Sequence, residues 1–345
     1  MGTVLNSKII GVKNCSFCEQ NFIVMKEGIY MIESRKLVLV GTGMVGMSMA
    51  YALENQGGIN ELVLIDVAKE RAIGEAMDLS HGIPCAPSRI DIKAGDYDEC
   101  KDADIVVITA GLAQKPGQTR LELASANAKI MKEITENVVS SGFNGIFVVA
   151  TNPVDVMTYV VGKVSGFPKN KVIGSGTVLD TARLRYLIGE KLHVSSKNIH
   201  AYIMGEHGDS SFVPWSHSYV GCKKLTDIIK ERGETEGTLE EIYKEVQQSA
   251  YEIINKKRAT YYGIGLGLAK LVKTILNNEN EILTVSTKLE GEYGHKDIYI
   301  GVPAIINNKG VQELLNIPLT KKEQEQFDNS CNILEKMKNE ISFDQ

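Results

Sequence analysis

An α/β fold is what this sequence predicts: a doubly wound parallel sheet followed by a mixed α/β domain. Three observations carry the prediction. Strand-length apolar runs recur along the chain, helix-favouring stretches separate them, and the first run leads straight into a glycine-rich turn. With 345 residues the chain is long for one core and suits two domains.

The elements follow in order. Arg35-Lys36-Leu37-Val38-Leu39-Val40 reads as the first strand, Gly41-Thr42-Gly43-Met44-Val45-Gly46 as a turn, and Met47 to Glu54 as a helix. A second strand, Glu61 to Ile65, ends in Asp66, an acid 20 residues after Gly46. Strand, GxGxxG, helix and acid in that order form the dinucleotide-binding fingerprint. Gly41, Gly43 and Gly46, with Val45 among them, allow a tight turn and close backbone approach to a pyrophosphate resting on the helix N-terminus. Asp66 would accept hydrogen bonds from the adenosine ribose and repel a 2′-phosphate, which favours NAD over NADP. Asp104 to Ala110 and Gly145 to Ala150 read as buried parallel strands, the latter running into Thr151-Asn152-Pro153, and Lys171 to Gly174 as a short sixth strand. Ligands of open α/β sheets gather at the carboxyl ends of strands, so Asn152 and the loop beginning near Gly111 lie where the reactive end of a cofactor belongs.

Pro168 and Gly174-Ser175-Gly176 mark a boundary between a dinucleotide-binding domain, 31–175, and a catalytic domain, 176–345. In the second domain Asp297 to Pro303 is an alternating strand suited to a smaller, partly antiparallel sheet. Lys321 to Met337 carries Phe327, Cys331 and Leu334 at helical spacing and reads as a surface helix. Residues 1–30 show no clear helical or strand period and lack the architecture of a signal peptide. They read as an N-terminal extension, a translated leader ahead of a start at Met31, because Lys26-Glu27-Gly28 can be encoded by purine-rich codons resembling a ribosome-binding sequence.

Composition narrows the function. A net charge of −5 gives no reason to expect nucleic acid or an anionic membrane as partner, and the apolar runs are too short to span a bilayer. The six cysteines are mostly scattered singly, as expected of reduced thiols in a cytoplasm. Cys15 and Cys18 have no second ligand pair at zinc spacing, so no metal is expected.

The chemistry concentrates in three places. Met204-Gly205-Glu206-His207-Gly208-Asp209-Ser210 sets one imidazole between two glycines, with carboxylates on either side. Asp180 and Arg183 are three residues apart, which on a helix puts both on one face. Gln114-Lys115-Pro116-Gly117-Gln118-Thr119-Arg120 follows a buried strand as a polar loop, a natural lid with Arg120 at its far end. A proton donor, an acid to orient it and a cation to grip a carboxylate are what reduction of a 2-keto acid needs.

These segments, with Thr151-Asn152-Pro153-Val154-Asp155, resemble the L-lactate dehydrogenases of bacterial type in the lactate/malate dehydrogenase family, from about Lys36 to about Glu340. The resemblance implies a Rossmann NAD domain, a mixed α/β catalytic domain and a homotetramer. It makes His207 the acid/base that protonates the ketone oxygen, Asp180 its orienting carboxylate, Arg183 the grip on the substrate carboxylate and Arg120 the group that polarises the carbonyl. Asn152 would hold the same oxygen or the nicotinamide ribose, and Thr260 would line the substrate pocket; Arg71, Tyr97, Thr109, Gly111 and Ser175 would line the NAD groove. Gln114 stands where malate dehydrogenases carry Arg, which implies pyruvate rather than a dicarboxylate. Arg185 and His200 match an Arg and a His of relatives activated by fructose 1,6-bisphosphate, implying the same activator here. Arg258, where many bacterial relatives have Gly, and Glu133, beside the cofactor groove, depart from the family pattern. The expected activity is reversible NADH-dependent reduction of pyruvate to L-lactate in fermentation. A 2-hydroxyacid dehydrogenase for longer keto acids and a non-catalytic dinucleotide-binding protein remain as alternatives.

Overall fold

The computed structural model describes residues 11–14, 21–25, 28–31, 35–112, 120–235 and 237–341. Gly11–Asn14, Asn21–Met25 and Gly28–Met31 form a three-stranded antiparallel sheet in that order, within a separate compact unit ending at Arg35. No strand period was expected there; the paired segments nevertheless contain Val12, Ile23, Val24 and Ile29, residues that favour extended backbone. Cys15 and Cys18 lie outside the described residues.

From Lys36 onward one nine-stranded sheet organises the chain. Its strands are β1 (Lys36–Val40), β2 (Glu61–Ile65), β3 (Asp91–Ala94), β4 (Ile105–Ile108), β5 (Ile146–Val149), β6 (Val172–Gly174), β7 (Glu281–Glu290), β8 (Lys296–Asn307) and β9 (Gly310–Leu314). Their spatial order is β9-β8-β7-β6-β5-β4-β1-β2-β3. The segment β3-β2-β1-β4-β5-β6 is parallel throughout, the order of a Rossmann sheet with its switch point between β1 and β4. Helices α1 (Met44–Gln56), α2 (Lys69–Gly82), α3 (Arg120–Ser140), α4 (Val154–Ser165), α5 (Val178–Leu192), α6 (Leu225–Glu231), α7 (Gly237–Lys257), α8 (Tyr262–Leu276) and α9 (Lys321–Glu340) complete the framework.

Strand alternation sorts the core into two faces. Val38, Val40, Val106, Ile108, Phe147 and Val149 pack with residues of α3, α4 and α9. Leu37, Leu39, Leu62, Leu64, Ile105 and Val107 pack on the opposite face with α1, α2 and α8. Burial on both faces explains why these strands are apolar on both faces beyond their first residues. A third cluster, including Leu184, Ile188, Ile203, Leu225, Leu239 and Val246, joins α5, α6 and α7.

Two sequence expectations meet a different arrangement. The strand containing Asp297 to Pro303 is not in a smaller sheet. As β8 it belongs to an antiparallel extension of the main sheet, joined where Ser286 of β7 pairs with Gly174 of β6. The extension shields the edge that β6 would otherwise expose, and an uncovered edge invites further pairing. The second difference is β3, which has no named counterpart in the sequence reading. Its pattern is only half-buried, so it lacks the continuous apolar run of its neighbours.

The two ends of the parallel strands differ in kind. At the amino end, buried Lys36 pairs with Asp102 at 2.7 Å, Glu99 at 3.0 Å and Glu61 at 3.6 Å. Burial alone would lower its pKa, but these carboxylates raise it to about 12. That end is sealed by ion pairs. The carboxyl end carries the glycine turn and the cavity described next.

Candidate active site

The turn after β1 has a reason for each glycine. Gly41 has φ +104°, and a Cβ there would lie 2.5 Å from Ala110 N. A Cβ on Gly46 would lie 2.4 Å from Gly41 O and 2.7 Å from Thr109 Oγ1, and Thr109 Oγ1 donates to that same Gly41 O at 2.8 Å. Gly43 differs: it has φ −74°, and a Cβ there would meet nothing within 4 Å. It is the N-cap of α1, a helix with no side-chain cap and no acid in its first turn. An uncapped helix start beside an open glycine leaves amide donors and the positive helix end for an anion, which fits a dinucleotide pyrophosphate.

Asp66 stands beside this turn at the end of β2. Its Oδ2 accepts from Thr42 N at 2.7 Å and Thr42 Oγ1 at 2.9 Å, and its Oδ1 from Ala68 N at 2.9 Å. Burial opposes its ionisation, yet these bonds and the Arg71 guanidinium hold its pKa below the usual range. The carboxylate is therefore charged at neutral pH, with Oδ1 able to accept another donor. Arg71 is exposed on α2, 3.6 Å from Glu75, and Tyr97 lies near enough to Asp66 and Glu133 to feel their charge. Asp66, Tyr97 and Thr109 thus follow the carboxyl ends of β2, β3 and β4.

A cavity of about 360 Å³ opens from this edge. Val45, Asn152, Ser175, Asp180, Arg183, His207 and Thr260 line it, together with residues of α7. His207 Nδ1 lies 2.6 Å from Asp180 Oδ2, and Arg183 donates to Asp180 Oδ1 at 3.0 Å. One carboxylate, projecting from the first turn of α5, therefore joins the imidazole and the guanidinium. The Asp180 charge raises the His207 pKa against the effect of burial, to about 9. Burial works against Asp180 too, but the His207 and Arg183 charges keep its pKa below the ordinary carboxylate value. With Nδ1 committed to Asp180, Nε2 is the ring atom left to exchange a proton with a ligand.

Gly111 crowds against Thr151, where a Cβ would come within 2.4 Å of Cγ2. Gln114 lies outside the described residues. Arg120 begins α3, and its side chain also lies outside the description. Arg185 and His200 do not line the cavity. Arg185 Nε donates to Ala201 O at 3.0 Å and its guanidinium sits 4.7 Å over the Tyr202 ring, while His200 is exposed on a two-residue strand. Among the described residues no cluster of three His, Cys, Asp or Glu side chains could hold a metal ion, and no helix is long and apolar enough to cross a membrane.

The structure adds residues that the sequence reading did not single out. Fully buried Asn127 donates to Asn152 O at 2.8 Å and accepts from Leu112 N at 2.8 Å, tying the ends of β4 and β5 together. From α7, Tyr243 donates to Ser211 O, and Tyr251 donates to Asp209 Oδ1 at 2.9 Å. Buried Asp155 accepts from the His207 backbone N at 2.8 Å, and desolvation pushes its pKa up to about 6. Asp155 closes the Thr151–Asp155 segment quoted above, but its role there, like those of Asn127, Tyr243 and Tyr251, depends on a partner distant in sequence. Arg258 follows α7 with φ +72°, a left-handed conformation that explains why glycine would suit this position.

Comparison with known proteins finds matches over both halves of the chain. Residues 35–174 match the family described as lactate/malate dehydrogenase, NAD binding domain, and residues 177–343 match its alpha/beta C-terminal domain. L-lactate dehydrogenase 2 of Bacillus cereus is 52% identical over 311 residues, covering 90% of this chain and 98% of that protein. L-lactate dehydrogenase 1 of Bacillus anthracis is 53% identical over the same length and coverage. Among solved structures, a lactate dehydrogenase from a Medee basin deep-sea metagenome superposes with TM-score 0.87 at 52% identity, covering 90% of this chain and 99% of that one. The ligand-bound minor L-lactate dehydrogenase of Enterococcus mundtii gives TM-score 0.88 at 48% identity with the same coverage.

Proposed function

We propose, from the premise that this chain belongs to the lactate/malate dehydrogenase family and is an NAD-dependent lactate dehydrogenase, that His207, Asp180, Arg183 and Arg120 carry its reaction. The observation that carries the reading is the Asp180 carboxylate bonded to both the His207 ring and Arg183 on the wall of one cavity. The substrate pair is pyruvate and L-lactate, as the names of the relatives suggest. NAD(H), when bound, supplies or takes the hydride. Gly41, Gly43, Val45, Gly46, Asp66, Arg71, Tyr97, Thr109, Gly111, Asn152 and Ser175 would hold it along the sheet edge.

His207 keeps a proton at neutral pH because the Asp180 charge stabilises the imidazolium, and Nε2 delivers that proton to the developing alkoxide. Arg183 orients the substrate through its carboxylate in a two-pronged pair. Arg120 stabilises negative charge on the carbonyl oxygen, while Asn152 and Thr260 bound the site. Gln114 selects a neutral substrate end, because a second carboxylate would be unpaired in a closed site. The division at residues 175/176 is supported by the sheet turning antiparallel immediately beyond β6.

Activation by fructose 1,6-bisphosphate, through Arg185 and His200 of paired subunits in a homotetramer, belongs to the same proposal. It is supported by the exposure of His200 and by an Arg185 side chain bonded to a carbonyl rather than a carboxylate. A cytoplasmic setting is supported by the free thiols of Cys85, Cys100, Cys222 and Cys331. One set of assays tests the whole reading: NADH oxidation with pyruvate, oxaloacetate and 2-ketoisocaproate, each with and without the bisphosphate. Pyruvate is expected to have the highest kcat/KM, with KM lowered by the bisphosphate. A higher kcat/KM for 2-ketoisocaproate would select the broader 2-hydroxyacid reading, and an unchanged pyruvate curve would remove the activator. Gln114→Arg is expected to shift preference toward oxaloacetate; a variant still selective for pyruvate would refute the role of Gln114.

A further inference from the structure

The loop Gly205–Ser211 has no regular secondary structure of its own beyond two isolated bridges, one pairing the flanking Met204 and Phe212 and one tying Gly205 to Gly301, and neither reaches the backbone of His207. Two consecutive amides of this loop are held by side chains from different helices. Glu206 N donates to Ser330 Oγ of α9 at 3.3 Å, and His207 N donates to Asp155 Oδ2 of α4 at 2.8 Å. Both side chains are buried, Ser330 being 0% and Asp155 2% exposed. Ser330 Oγ also donates to Ser210 O at 2.6 Å. Ser210 Oγ lies 2.9 Å from it and donates to the Glu206 carboxylate. The loop is thus wound around one hydroxyl. Gly205 makes room for it: with φ +101°, a Cβ at that position would come within 2.6 Å of Ser330 Oγ.

We propose that Ser330 and Asp155 are positioning residues for the reaction, clamping the backbone at Glu206 and His207 so that the imidazole meets both Asp180 and the substrate. The proposal rests on the reading of His207 as acid/base. Asp180 fixes the ring by one nitrogen, but the placement of the Cα that carries the ring comes from the clamp. Small errors in such placement are expensive, since a displacement of about 1 Å can cost about a hundredfold in rate. The two clamp residues lie 52 and 124 residues from the amides they hold, so although Asp155 ends the Thr151–Asp155 segment, no local pattern announces either contact.

Steady-state kinetics on the full chain test this. In Ser330→Ala and Asp155→Ala, kcat for pyruvate reduction is expected to fall about tenfold or more. NADH Kd, read by fluorescence, should stay within about twofold because the turn at Gly41 is untouched. Asp155→Asn keeps an acceptor oxygen and should recover most of the loss. A purely structural role would lower Tm without this separation of kcat from NADH binding. Should either alanine variant fail to fold by circular dichroism, Ser210→Ala, which deletes a neighbouring hydroxyl at a half-buried position, carries the same expectation on a smaller scale. A kcat within about twofold of the parent in every folded clamp variant would overturn the proposal. His207→Asn separates the two claims: collapse of activity there with intact clamp variants defeats only the clamp, whereas full activity in His207→Asn defeats the underlying reading.

Discussion

The turn Gly41–Gly46 and the loop Gly205–Ser211 both contribute to the wall of one cavity, yet they are built in opposite ways. The turn is a backbone object. Gly41 N donates to Ile65 O at 2.8 Å, Thr109 Oγ1 donates back to Gly41 O, and the shape survives because side chains are missing where strands and helix meet. The loop, closed at its base by backbone bridges Met204–Phe212 and Gly205–Gly301, is shaped beyond them by side chains: Asp155 of α4, Asp180 of α5, Tyr243 of α7 and Ser330 of α9. A site made of backbone carries its signature in local residue type. A site made of converging side chains carries only the converged-upon residue in its local sequence.

The loop side of this contrast should show the larger effects. Asp180→Asn removes the charge that sustains the His207 imidazolium, and kcat for pyruvate reduction should fall by about a thousandfold. The sign of the pH dependence follows. With a His207 pKa of about 9, the protonated ring persists through neutrality, so kcat/KM for pyruvate reduction should hold up to about pH 9 and decline above it. Lactate oxidation needs the neutral ring and should rise over the same window. In Asp180→Asn both limbs should move toward about 6.5, the ordinary histidine value. Limbs that stay in place would show that Asp180 does not set the charge state of His207.

The turn should respond differently at two of its glycines. Gly46→Ala drives a methyl against Gly41 O and Thr109 Oγ1, and should cost about 1–3 kcal/mol of stability, measured by urea unfolding. Gly43→Ala has an ordinary φ of −74° and free space, so stability should hold. Its methyl instead occupies the approach of the pyrophosphate, so NADH Kd should rise about tenfold, an extra cost of about 1.4 kcal/mol. Normal NADH binding by Gly43→Ala would mean that the anion does not rest there. The smallest expected effect lies on the loop side, after the helix that covers it. Arg258→Gly relieves a left-handed non-glycine residue after α7 and should stabilise by up to about 1 kcal/mol, read as a higher urea midpoint.

Legibility followed the same division. Glu61–Ile65 was read to the residue, and the ends of β1, β4, β5 and β6 to within one or two, because buried parallel strands are near-continuous apolar runs. The strand β3, exposed at alternate positions, and the long β7 offered no comparable run and were not singled out. The position of β8 was misread for another reason: alternation shows that a strand has two different faces, but not which sheet it joins.

By itself, the sequence determined five of the six parallel strands, the glycine turn with its acid, and the spacing that singles out His207, Asp180 and Arg183. Periodicity, backbone sterics and functional-group chemistry are all written within a few residues of one another. Only the tertiary structure decided that β7–β9 extend the same sheet, that Asn127 joins two strand ends, and that Ser330 and Asp155 grip neighbouring amides beside the imidazole. Those contacts depend on where helices far apart in the chain come to rest. Packing of the whole core fixes that placement, and no short window of residue types contains it.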